Sequence, residues 1–223
     1  MDKLVRKIEI PLAKKAIEKA GLYIVQKKDL ERLAEVATDA YRDYPLHNWF
    51  MGGKYDAVAS KLLMLVTLRT MTEDAIIYAD SEEINGFAAW LPFGFTGNKA
   101  IPFLLKGGLR LILHSGFGII GRLSAYEKYA MNLKKEYTDN YDWYLFNLSV
   151  RKEAQGKGIA SNLLRPMLKF CDDERMVAYL ETNKESNVGL YQHYEFDLMN
   201  EEQIPKTPVM HYAMVRNPKS NDR

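Results

Sequence analysis

The sequence predicts a mixed α/β (α+β) fold, one mixed sheet flanked by helices, and three observations carry that prediction. Apolar runs of strand length, rich in aromatic and β-branched residues, recur at Ala75 to Tyr78, Ile84 to Leu91, Trp143 to Val150, Val177 to Thr182 and Val209 to Val215. Between them lie stretches whose apolar residues repeat at helical spacing, such as Leu30, Leu33, Ala34, Ala37, Ala40 and Tyr41, or Ile159, Leu163, Leu164, Met167 and Phe170. At 223 residues, without an internal repeat or low-complexity stretch, the chain supplies one substantial core and is read as a single domain over 1–223.

In chain order, Pro11 followed by L-A-K-K-A-I-E-K-A predicts a short amphipathic helix that Gly21 ends. Leu22 to Val25 reads as a first strand, and Asp29 as the N-cap candidate of the next helix, which Pro45 ends. The aromatic-rich stretch Tyr44 to Met51 holds a histidine, and a second helix is expected from about Tyr55 to Met71. Ala75 to Tyr78 and Ile84 to Leu91, joined by D-S-E-E and with Asn85-Gly86 near the start of the second, read as an antiparallel hairpin. From Pro92 to about Asn140 glycines scatter through apolar residues before a charged helical stretch. So long a segment is expected to be helical, because a structureless loop of that length is rare. Its apolar content also predicts that it is covered, since an exposed patch of that size is a liability. Pro166, inside the helix after Val150, is expected to bend it or to cost one backbone hydrogen bond. A short helix started by Ser186 or Asn187 follows the Val177 to Thr182 strand, polar residues come next, and Val209 to Val215 is the last strand. Residues 218–223 form a polar tail expected to fray.

Composition narrows the function classes. Apolar residues at 47% and charged ones at 27% are ordinary globular values, and the formal charge of +2 is the difference between 31 basic and 29 acidic residues, so no nucleic-acid surface is implied. The single cysteine, Cys171, excludes an intrachain disulfide and a multi-cysteine metal site, and agrees with a reducing cytoplasm; it is read as an inert thiol. His193 and His211 lack any ligand-like spacing, so no metal is expected. The N-terminus lacks the apolar core of a signal peptide, and the most hydrophobic window, Ile101 to Ile120, contains Lys106, Arg110 and His114, which argues against a membrane span.

The chemistry gathers at Asn147 to Ser161, read N-L-S-V-R-K-E-A-Q-G-K-G-I-A-S. A strand enters a turn holding Gly156 and Gly158, and a helix begins at once. The first turn of a helix leaves backbone N–H groups unpaired at the positive end of the macrodipole, a favourable place for phosphate oxygens. The glycines let that backbone approach a phosphate without a Cβ in the way. The P-loop pattern G-x-x-x-x-G-K-[ST] does not fit, and Ser161 stands where the dinucleotide fingerprint needs its third glycine.

What remains, Q-x-x-G-x-A at Gln155, Gly158 and Ala160, resembles the pyrophosphate-binding motif [QR]-x-x-G-x-[GA] of the GNAT superfamily, acyl-coenzyme-A-dependent N-acyltransferases. A second match lies at N-V-G-L-Y-Q-H-Y, where Leu190, Tyr191 and Phe196 line up with the family's N-x-x-[AG]-x-x-[LI]-Y-x-x-x-G-F and Asn187 stands one helical turn before Tyr191. The likeness covers Trp143 to Phe196. Glu195 departs from it, standing where the family commonly has a glycine; at positive φ a glutamate costs about 1 kcal/mol, which puts the local turn in doubt.

The resemblance implies a mixed, mostly antiparallel twisted sheet, with 94–140 a helical insertion ahead of the central strand. It implies acetyl-CoA as the donor and direct attack by a primary amine on the thioester, with no covalent enzyme intermediate. Gln155, Gly156, Lys157, Gly158, Ile159, Ala160 and Ser161 would wrap the pyrophosphate. The backbone of Leu148, Ser149 and Val150 would follow the pantetheine arm, with a backbone N–H near Leu148 serving the developing oxyanion. Asn183 or Asn187 would bond the arm's amides, with Leu190, Tyr191 and Tyr194 on the face that Asn187 shares. Tyr191, a phenol with an ordinary pKa of about 10, would protonate the departing sulfur. The attacking amine must lose a proton, its ordinary pKa being about 10.4; His47, His114, Tyr126, Asp43 and Glu181 are the candidate bases, with ordered water as a relay. The insertion is a lid over the acceptor site, a dimer surface or an enlargement of the core. The acceptor is expected to be a small molecule, with a protein or peptide amine as the alternative, and the protein a monomer or homodimer in the cytoplasm, away from nucleic acid and membrane. The rival from another class is a non-catalytic acyl-CoA sensor, which would have no need of Tyr191.

Overall fold

The computed structural model describes residues 2–92, 100–138 and 142–219, built on a seven-stranded sheet. Its strands are β1 (Tyr23–Ile24), β2 (Ile76–Ala79), β3 (Gly86–Leu91), β4 (Asp142–Val150), β5 (Val177–Thr182), β6 (Asp197–Gln203) and β7 (Met210–Arg216). They lie in the order β1-β2-β3-β4-β5-β7-β6, and every neighbouring pair is antiparallel except β4 with β5. The mixed, mostly antiparallel sheet flanked by helices is therefore the fold the chain adopts.

The helices are α1 (Asp2–Lys19), α2 (Leu30–Ala40), α3 (Pro45–Phe50), α4 (Ala57–Met71), α5 (Ala100–Phe103), α6 (Leu109–Ser115), α7 (Gly118–Thr138), α8 (Ile159–Asp173) and α9 (Ser186–Gln192). On one sheet face α1 and α8 pack Ala13, Ile17, Leu163 and Met167 against Trp90, Trp143 and Leu180. On the other, α2 and α4 pack Leu33, Val36 and Leu68 against Phe87, Leu91 and Ile77. Each such side chain contributes about 1.5–3 kcal/mol by leaving water, so these two layers fix the sheet between them.

Several local outcomes differ from the sequence expectation. Helix α1 begins at Asp2 rather than Pro11, and Pro11 sits inside it on the exposed side, where water can satisfy the carbonyl left without its N–H partner. Asp29 caps no helical N–H; its carboxylate accepts from Tyr23 Oη (2.9 Å) and the Gln26 N–H (2.8 Å), closing the turn before α2. Pro45 opens the short helix α3 at its first position, where a missing N–H costs nothing. The polar run after α9 is strand β6, a sheet edge whose exposed Glu201, Glu202 and Gln203 guard it against further pairing. Glu195 does take φ 65°, so the turn after α9 keeps the left-handed geometry without a glycine. Of the tail, Lys219 is tied by its N–H to Asp172 Oδ1 (2.9 Å) and by Nζ to Glu195 Oε1 (2.7 Å); 220–223 lie outside the described residues.

The segment between β3 and β4 consists, where described, of α5, a π-helical turn over Leu104–Gly108, α6 and α7. It buries Leu111 and Ile119 against Leu46, Phe50, Leu63 and Val66 of α3 and α4, a third apolar cluster beside the sheet. At its end a buried ion pair, Lys134 Nζ to Asp142 Oδ1 (2.7 Å), which also accepts from Thr138 Oγ1 (2.9 Å), ties α7 to the start of β4. Contrary to the expectation that so apolar a segment is covered, Ile101, Leu104, Leu105, Leu109, Leu113 and Phe117 are exposed. Residues 94–99 and 139–140 of the insertion lie outside the described residues. Among the described residues no helix is long and apolar enough to cross a membrane.

Candidate active site

The site follows from one irregularity in β4. Its register with β3 steps from Ala89↔Asn147 to Trp90↔Leu145, which leaves Phe146 as an extra, unpaired residue. Such a bulge bends its strand and shifts the side-chain alternation by one. Trp143 and Leu145 face α8, Tyr144 and Phe146 face α2, and after the bulge Asn147 and Ser149 keep to the α2 side while Leu148 returns to the α8 side. At the same level the parallel pairing of β4 with β5 ends: Leu145↔Leu180 is the last pair. Beyond it the two strands part.

The freed edge of β4 carries identifiable groups. The Arg151 N–H bonds the Asn85 carbonyl on the β3 side (2.9 Å), and backbone groups of successive strand residues point to opposite edges. The N–H and C=O of Leu148 and Val150 therefore face the gap, and the Val150 carbonyl accepts there from Gln155 Nε2 (3.1 Å). That bond folds the 151–158 loop back onto β4. Gly156 and Gly158 both have positive φ (75° and 79°), which favours glycine on conformational grounds, and a Cβ at either would meet nothing within 4 Å. Gly158 is the N-cap of α8, whose hydrogen-bond ladder starts with the Asn162 N–H to the Gly158 carbonyl (3.0 Å), leaving the N–H groups of Ile159, Ala160 and Ser161 without a helical partner. Gly86 of β3 lies directly beneath; a Cβ there would sit 2.8 Å from Ile159 Cγ2 and 3.0 Å from the Ser149 carbonyl.

A cavity of about 440 Å³ runs from this helix start along the gap. Leu148, Val150, Gln155, Gly156, Gly158, Ile159, Ala160 and Ser161 line one end; Asn187, Leu190, Tyr191 and Tyr194 of the α9 region line a wall; Tyr41, Tyr44, Phe146 and Glu181 line the other end. Three expected residues are not brought to it. Ser149 is buried on the opposite sheet face with Oγ donating to Asn147 Oδ1 (2.8 Å), a consequence of the bulge. Asn183 donates Nδ2 to the Met210 carbonyl (2.8 Å) and its N–H to Tyr44 Oη (2.8 Å), so its side chain belongs to the β7 side. Lys157 is an exposed loop residue off the cavity wall.

At the far end β5 presents Glu181, whose side chain is 2% exposed. Its carboxylate accepts from Tyr179 Oη (2.8 Å), Tyr126 Oη (2.9 Å) and Tyr144 Oη (3.2 Å). Burial pushes its pKa above the ordinary carboxylate value despite those donors. His211 Nε2 stands 3.7 Å away with neither ring nitrogen hydrogen-bonded among the described residues, and burial lowers its pKa to about 4, so it is neutral. Burial, with the nearby Tyr44 hydroxyl, holds the Tyr191 phenol above its ordinary range, so it stays protonated at neutral pH.

The other base candidates sit elsewhere. His47 is buried, bonded by Nε2 to Ser60 Oγ (2.7 Å), and lowered by burial to about 4. His114 pairs with Asp56 Oδ2 (2.9 Å) beside the start of α4. Asp43 is exposed on the turn before α3. Tyr126 is present at the site as a donor to Glu181. The residues that sequence reasoning missed are Tyr41, Lys184, Tyr144, Tyr179 and His211. Tyr41 had a signal as the last apolar position of the α2 face, and Tyr44 as the head of the aromatic stretch Tyr44 to Met51; Tyr144, Tyr179 and His211 are brought in by strand order.

Comparison with known proteins agrees with this geometry. The family model described as Acetyltransferase (GNAT) family matches residues 34–196, from α2 to the end of the α9 turn. An uncharacterized N-acetyltransferase of Schizosaccharomyces pombe is 25% identical over 189 residues, 77% of this chain and 72% of its own length. Among solved structures, a Corynebacterium glutamicum protein of the type histone acetyltransferase HPA2 and related acetyltransferase superposes with a TM-score of 0.62 at 16% identity, covering 91% of this chain and 98% of its own. Arylalkylamine N-acetyltransferase 2 of Aedes aegypti gives 0.55 at 19% identity, covering 89% and 98%. At these identities the structural likeness is one of fold.

Proposed function

Because the chain belongs to the GNAT family of acetyltransferases, we propose that it moves the acetyl group of acetyl-CoA to the primary amine of a small molecule, in one direct step. The observation that carries this reading is the parted β4–β5 pair, whose gap leads from the free amides of α8 to Tyr191 and Glu181.

The residues present fit a thioester substrate of this kind. Three N–H groups at the start of α8, with open space over Gly156 and Gly158, make a cradle for diphosphate oxygens. Gln155 clips the loop through the Val150 carbonyl, so it shapes the cradle through its side chain and lines it from the loop. The Leu148 and Val150 backbone groups offer strand-like bonds to an extended amide arm, and the Leu148 N–H is the donor we assign to the carbonyl oxygen as charge develops on it. Asn187, whose Nδ2 bonds Thr182 Oγ1 (3.1 Å), stands on the opposite wall with Leu190 and Tyr194.

In the step itself, the amine nitrogen forms a bond to the thioester carbonyl carbon, the carbon–sulfur bond breaks, and the sulfur takes the Tyr191 proton. The proton lost by the amine goes to Glu181, directly or across a tyrosine hydroxyl or water. Tyr126, Tyr144 and Tyr179 hold that carboxylate in place, and holding both reactants on one scaffold supplies most of the rate gain. The acceptor end is enclosed by Tyr41, Tyr44 and Phe146, with Glu181 held there by the Tyr126 hydroxyl of α7 (2.9 Å). That enclosure supports a compact amine with an apolar body over an amine on a protein.

The test is thiol release from acetyl-CoA across a panel of arylalkylamines, aliphatic amines and lysine or N-terminal peptides. Release with compact amines and none with peptides is the expected result. Turnover of peptides alone would move the assignment to protein acetylation, and tight coenzyme A binding without release for any amine would make the protein a sensor.

A further inference from the structure

We infer that the outer face of residues 101–117 is the contact surface for a second copy of this chain. The inference stands apart from the catalytic reading and does not depend on it. Ile101, Leu104, Leu105, Leu109, Leu113 and Phe117 are between 44% and 83% exposed, while Leu111 of the same stretch and Ile119 just beyond it are buried against α3 and α4. The insertion is thus apolar on two sides, and only the inner side has a partner among the described residues. A helix that is apolar all round belongs in an interior.

Area and charge identify the occupant. Leu109 and Leu113 stand one turn apart on α6, with Ile101, Leu104 and Leu105 before the kink at Gly107 (φ 127°) and Phe117 after the helix end at Gly116 (φ 74°), so the apolar face is drawn from short pieces. One such patch laid against its own copy about a twofold axis is self-complementary. At about 25 cal/mol per Å², a Leu worth about 1.5–3 kcal/mol on burial hides on the order of 100 Å², so six such side chains supply most of the roughly 800 Å² that each partner contributes to a stable interface. The charges nearby are already satisfied within the chain: Lys106 pairs with Glu73 (3.0 Å) and His114 with Asp56 (2.9 Å). Among the described residues of this face Arg110 alone adds an exposed cation, and one cation adds only about 1 kcal/mol toward an anionic bilayer, so the face suits an apolar partner better than a lipid surface.

Light scattering on the eluting protein at micromolar concentration tests this. The full chain is expected at twice 25.7 kDa, the Leu105→Glu, Leu113→Glu double variant at 25.7 kDa, and Leu12→Glu, altered on α1, at the doubled mass. Should the double variant misfold by circular dichroism, Leu109→Cys decides: because Cys171 is fully buried, oxidation is expected to link Leu109→Cys chains in pairs and to leave Leu12→Cys single. A wild-type chain at 25.7 kDa, a doubled mass that survives the double substitution, or a single chain that pellets with phosphatidylserine vesicles would each overturn the inference.

Discussion

Two buried side chains, Tyr191 and Glu181, divide the proposed proton transfers between a donor and an acceptor. Tyr191 is kept protonated by burial, and Glu181 is kept basic by burial against the pull of three phenols. Replacing Tyr191 with Phe removes the donor and little volume, so kcat should fall on the order of 100-fold with coenzyme A affinity kept. For Glu181→Gln a similar loss is expected, with a change in pH profile. The carboxylate must be ionised to accept a proton, and its raised pKa means that wild-type rate falls as pH drops through a value above the ordinary carboxylate one. The variant's rate should lose that acid limb. The groups that face Glu181 are Tyr179, Tyr126, Tyr144 and His211, with Tyr44 and Lys134 nearby; the tyrosines stay protonated and His211 stays neutral across that range, so among these groups the limb belongs to Glu181, while the amine substrate, with its ordinary pKa of about 10.4, slopes wild type and variant alike. Pre-steady-state thiol release from pH 5 to 9 reads both variants. Tyr191 was legible in the sequence because its helix repeats a family pattern. Glu181 stood among five candidates, since nothing local distinguishes it: its donors come from β4, β5 and α7, and only the strand order assembles them. His47, attractive by type, is spent on Ser60 within the core.

At the scale of elements, the bulge at Phe146 and the start of α8 together make the gap and its anion cradle. Gly158 has φ 79° and open space at its missing Cβ, so Gly158→Asp is strained by backbone conformation, on the order of 1 kcal/mol, and not by crowding. An aspartate at a helix N-cap is otherwise favourable, which offsets part of that strain. Thermal stability should therefore change little, while the added carboxylate repels a diphosphate. Calorimetry is expected to give at least a tenfold loss of coenzyme A affinity for this variant; unchanged affinity would remove the diphosphate from α8. The turn-and-helix unit was readable from two glycines and a helical repeat. The bulge was not: an extra residue in one strand has no sequence mark, and without it Ser149 was placed beside the arm when it lies on the opposite face. Strand β6 escaped notice for a related reason, because an exposed edge is defended by the polar residues that hide its pattern.

At the scale of the molecule, two helical layers press the sheet from either side, and the insertion adds a third cluster beside it, tied to the site by the Tyr126 hydrogen bond to Glu181. The layer order was legible from the alternation of periods 2 and 3.6. The outward apolar face of the insertion was not, because periodicity reports which residues are apolar and says nothing of how many sides have partners. All of these parts converge on one claim, that the donor thioester lies in the gap between β4 and β5 with its diphosphate on the amides of α8. Titrating coenzyme A into isotope-labelled protein and following the backbone amides tests it most directly. The largest shifts are expected at Gly156 to Ser161 and at Leu148 and Val150; saturable binding that leaves those amides unmoved would contradict that placement of the donor.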